Sequence, residues 1–85
     1  MLEVRNPGLM ASALELDLVR FREAGRIVRM PVALQELAVA LARIAVMLRQ
    51  ADARGQAVDL GDEVVRLIER FRSALRTVGG APAQA

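Results

Sequence analysis

The feature that most constrains this chain is a run of apolar residues through its middle. Leu34, Leu37, Leu41, Ile44, Leu48 and Ala51 follow one another at steps of 3, 4, 3, 4 and 3. A helix with 3.6 residues per turn brings such positions to one side, whereas a strand would scatter them over both faces. The spacing predicts a helix over about 31–54, with Pro31 in the first turn, where its missing N–H costs nothing. Glu36, Arg43 and Gln50 recur every seven residues and mark a narrow solvent stripe. Ala38, Ala42 and Ala45 form a second, small-residue face, bordered by Val39 and Val46. A helix this widely apolar must be covered on more than one side.

A second helix is expected over about 59–78. Leu60, Val64, Leu67, Phe71, Ala74 and Val78 repeat the same alternation, with Asp59 as the expected N-cap. Asp62 and Glu63 at its start and arginines toward its end match the helix dipole. The connection through residues 52–58, with Gly55 inside it, is short enough to make the two helices antiparallel neighbours. Their expected seam sets Leu37, Leu41, Ile44 and Leu48 against Leu67, Phe71, Ala74 and Val78.

Residues 12–30 admit two readings. Leu14, Leu18, Phe21, Gly25 and Val28 continue the 4, 3, 4, 3 spacing, which predicts a helix over about 12–24. Ser12 and Glu15 would form its capping box, and Gly25 would end it in a left-handed conformation. Leu14, Leu16 and Leu18 also alternate with Glu15 and Asp17, so a β-hairpin over 14–30 is the alternative. That hairpin sets Arg22 opposite Arg26, which disfavours it. The fold class expected is therefore all-α: an antiparallel helical hairpin plus an N-terminal helix, as a three-helix or oligomeric bundle. Residues 1–11, containing the turn signal Asn6-Pro7-Gly8, are expected to be an arm, 12–78 a single helical domain, and 79–85 a flexible tail.

Composition narrows the function classes. The 85 residues contain no Cys and no His, and all twelve basic residues are Arg. The usual general bases, thiolate nucleophiles and soft metal ligands are thus missing. Ser12, Ser73 and Thr77 have no activating partner, and the acid pairs Glu15/Asp17 and Asp62/Glu63 read as helix-start residues. No enzyme activity, cofactor or metal is expected. The longest apolar run, Leu37 to Leu48, is too short to span a bilayer, and no signal-like segment opens the chain, so membrane association is not expected and a cytoplasmic location is.

With 54% hydrophobic residues in so short a chain, apolar surface remains after folding. The expected function is a non-catalytic protein–protein interaction module: a homo-oligomer, or a small subunit or chaperone with a helical protein partner. Its expected interaction face is Ala38, Val39, Ala42, Ala45 and Val46. The alternative is a small nucleic-acid-binding or packaging component, with Arg22, Arg26 and Arg29 on one helix face as candidate phosphate contacts. Residues 1–30 hold five arginines against four acids, 31–57 three against two, and 58–85 four against four. No segment is strongly basic, which favours a solvated face over a phosphate track.

Overall fold

A computed structural model describes residues 1–78 of the chain. The element order is β1 (Leu2–Val4), α1 (Pro7–Gly25), α2 (Val32–Ala53), β2 (Val58–Leu60) and α3 (Asp62–Val78). The three helices form a bundle. The two strands make a small antiparallel ribbon at one end, with Leu2 opposite Leu60 and Val4 opposite Val58. The expected tail, 79–85, lies outside the described residues.

The N-terminal segment is helical, so the β-hairpin alternative over 14–30 does not form. Its helix begins five residues earlier than the spacing predicts, at Pro7 instead of Ser12. Asn6 is the cap: its Oδ1 accepts from the Leu9 N–H at 3.2 Å. Pro7 opens the first turn with its φ already suited to a helix. What reads as a turn signal is a helix start, and the expected arm consists of β1 and the first turn of α1. Gly25 is the last helical residue and is not left-handed. The left-handed glycine is Gly55, at φ +67°. There the Gln56 N–H donates to the Ala51 carbonyl and the Gly55 N–H to the Asp52 carbonyl, closing α2 in a Schellman motif.

Asp59 does not cap the last helix. It sits in β2, paired with Glu3, and α3 starts at Asp62, where the Gly61 carbonyl accepts from the Val64 and Val65 N–H groups. A three-residue strand carries too little pattern to stand out from a helical run, which is why the ribbon is invisible in the sequence.

Helices α1 and α2 run antiparallel. Gly8 near the start of α1 lies against Asp52 near the end of α2, so close that a Cβ there would come within 2.8 Å of the carboxyl group. Helix α3 runs parallel to α1, with Phe71 beside Phe21 at 5.8 Å between ring centroids. The seam of α2 divides accordingly. Leu34, Leu41 and Leu48 are buried at the centre, among Leu14, Leu60 and Phe71. Leu37 is half-buried toward α3, where it lines a shallow cleft with Ala74 and Val78. Ala38 and Ala45 are buried, and their spacing from Asp52 puts them on the side that meets α1. The small-residue face thus lets α1 approach α2 more closely than α3 does.

Candidate interaction surface

The expected interaction face is split by the bundle. Ala38 and Ala45 are buried and Ala42 is partly buried, because α1 supplies their cover within the chain. Val39 and Val46 remain open, each 56% exposed. Val32 stands one heptad before Val39 and is more exposed still. The three valines form a straight stripe along the outer side of α2, with Met47 partly exposed at its edge. Glu36 and Arg43 lie along one edge of the stripe, are exposed, and make no ion pair among the described residues.

A second exposed apolar region lies between α1 and α3. A groove of about 750 Å³ is walled by Ala13, Leu16, Val19 and Ala24 on α1, by Ile27 just beyond it, and by Leu75 on α3. Ile27 is 86% exposed. The groove also carries charge. Asp17, only 7% exposed, holds the Arg72 guanidinium across the gap, with Arg72 Nε donating to Asp17 Oδ2 at 2.6 Å. Arg20 approaches the other Asp17 oxygen at 4.0 Å, and Arg76 completes the α3 lip.

The candidate phosphate contacts are not on one helical face. Arg22 lies on α1, Arg26 is its C-cap residue and meets Glu23 at 3.8 Å, and Arg29 lies in the connector, because the helix stops at Gly25. All three are exposed. The parallel course of α1 and α3 nevertheless concentrates arginine at one end of the bundle. Residues 17–36 and 69–78 hold seven arginines and four acids, and the rest of the chain five arginines and six acids. Counting charge along the sequence misses this, because it arises from topology. Two helix C-termini point toward that end, so part of the positive charge answers their dipoles.

The groups weighed for catalysis are tied up or apart. Glu15 and Asp17 point to different neighbours. Arg49 donates to both Glu15 oxygens at 2.7 and 3.0 Å and to Ser12 Oγ at 2.9 Å, which holds the Glu15 carboxyl below its ordinary pKa through hydrogen bonding and charge. Thr77 Oγ1 donates to the Ser73 carbonyl at 3.1 Å. Among the described residues no group of three acids gathers to hold a metal ion, and no helix is long and apolar enough to cross a membrane. No family model, curated protein or solved structure matches the chain.

Proposed function

We propose that this protein is a non-catalytic interaction module that self-associates through the outer side of α2. The observation that carries the reading is the exposed, heptad-spaced stripe Val32, Val39, Val46, left open after the bundle has buried Leu34, Ala38, Leu41, Ala45, Leu48 and Ala51 of that helix. Its chemistry suits a second copy. An antiparallel two-fold pairing centred on Val39 sets Val32 against Val46 of the second copy and Val39 against itself. The same operation brings Glu36 within one residue of the level of Arg43 of the second copy, twice over. Two ion pairs that the monomer does not make then line one edge of a valine seam, as charged positions border coiled-coil cores. At 1.5 Å per residue α2 is about 33 Å long, room for roughly six turns of such a seam.

The test is the mass in solution by sedimentation equilibrium. The wild type is expected to be dimeric and the Val39→Glu/Val46→Glu variant monomeric with an unchanged helical spectrum, since both valines lie outside the core. Glu36→Arg should weaken the dimer and Glu36→Arg/Arg43→Glu restore it. A wild type that stays monomeric at millimolar concentration would overturn the reading.

A further inference from the structure

We infer that the α1/α3 groove is a docking site for an amphipathic helix whose apolar face is flanked by acidic residues. The inference goes beyond self-association and uses a different surface, on helices that the α2 seam leaves open. It rests on the reading of the chain as an interaction module, and each can fail without the other.

The groove exposes apolar side chains along its length. Leu16 and Val19 on α1 are about half exposed, and Ile27 is almost fully exposed at the groove's end. Water gains nothing from these residues, and burying each would stabilise a complex. A concave strip between two parallel helices accepts one further helix, completing a four-helix arrangement. A flat bilayer surface meets a groove poorly.

Charge then selects the partner. Arg72 is satisfied by Asp17 at 2.6 Å and is largely neutralised. Glu23 meets Arg26 at 3.8 Å. That leaves Arg20 on the α1 lip, no closer than 4.0 Å to its nearest acid, and Arg76 on the α3 lip, which makes no ion pair among the described residues. With Asp17 and Arg72 paired, the lining keeps Arg20, Arg76 and Glu23, the last an exposed acid drawn toward Arg26, so the groove carries a net positive charge around an apolar floor. An occupant with carboxylates on both sides of a leucine-type face complements both features. A nucleic acid would use the arginines and leave Ile27, Leu16 and Val19 against water. The chain has no Trp or Tyr and both Phe rings lie inward, so no stacking platform is offered to bases. A second copy is a poorer occupant, because the valine stripe it could insert has a single acid, Glu36, beside it.

The test uses two fluorescent 18-residue helical peptides with the same leucine face, one flanked by glutamates and one by lysines. Their binding to the full chain is followed by anisotropy. The glutamate peptide is expected to bind at least about tenfold more tightly than the lysine peptide. Ile27→Asp should abolish binding, and Arg20→Glu/Arg76→Glu should invert the preference. All three positions are exposed, so folding is expected to survive, and an unchanged circular dichroism melt confirms it. Val39→Glu/Val46→Glu should bind the peptide as the wild type does, which separates this site from the dimer seam. Equal affinity for the two peptides, no binding of either, or indifference to Ile27→Asp would overturn the inference. So would binding of a short DNA duplex that Ile27→Asp leaves intact, since the arginines would then serve phosphates.

Discussion

Among the described residues Asp17 is the one charged residue that the bundle buries, and its environment explains why it is tolerated there. A carboxylate taken out of water needs a partner of opposite charge with good geometry. Arg72 supplies one from α3, and its own side chain remains 42% exposed, so the guanidinium keeps part of its hydration. The two ends of the pair are therefore unequal. Arg72→Met leaves a nearly buried carboxylate with only Arg20 at 4.0 Å and is expected to cost about 2–3 kcal/mol, less than the roughly 3–5 kcal/mol of a fully buried broken pair because the site is not fully dry. Asp17→Asn leaves an arginine that can swing into solvent and should cost distinctly less. Urea unfolding of the two variants measures the difference; equal losses would mean that the carboxylate is better solvated than its burial indicates.

At the scale of elements, α1 and α2 are joined on their exposed side by the clasp of Arg49 with Glu15 and Ser12. Glu15 titrates lower in the folded chain than in the unfolded one, because Arg49 donates hydrogen bonds to its charged form. The clasp's contribution is thus complete above about pH 5, fades as pH falls through the unfolded glutamate value of about 4.3, and is gone below the folded value. Urea midpoints compared at about pH 6 and pH 3 should fall less for Glu15→Gln than for the wild type, and an identical fall would show that the clasp does not contribute. The clasp also marks what the sequence could and could not reveal. Ser12 and Glu15 have the spacing of a capping box and were expected to open the helix, but Asn6 and Pro7 open it earlier and free both residues to meet Arg49. The helices themselves were legible because their apolar spacing is long and regular. Their pairing was less so: periodicity shows that α2 has two apolar sides, but not that the alanine side meets α1 most closely. The strands were too short to register, and the glycine with positive φ proved to be Gly55, not Gly25.

For the whole molecule, folding resolves the excess of apolar residues only in part. The chain covers Ala38 and Ala45 with its own N-terminal helix, leaves Val39 and Val46 open, and gathers arginines around a second apolar groove that no segment-by-segment count could find. That α2 is too widely apolar for one neighbour to cover is legible from residue type alone, while the groove appears only once α1 and α3 lie side by side. On the proposed function the valine stripe is a two-fold, antiparallel seam centred on Val39. Because the chain has no cysteine, single cysteines report on this geometry without background. Disulfide formation requires Cα atoms within roughly 4.4–6.8 Å. Under mild oxidation Val39→Cys is predicted to cross-link to itself as a dimer. Val32→Cys and Val46→Cys should stay unlinked alone and cross-link when the two variants are mixed. Self-linking of Val46→Cys as readily as Val39→Cys, or no cross-link from any of the three, would rule out a two-fold seam centred on Val39.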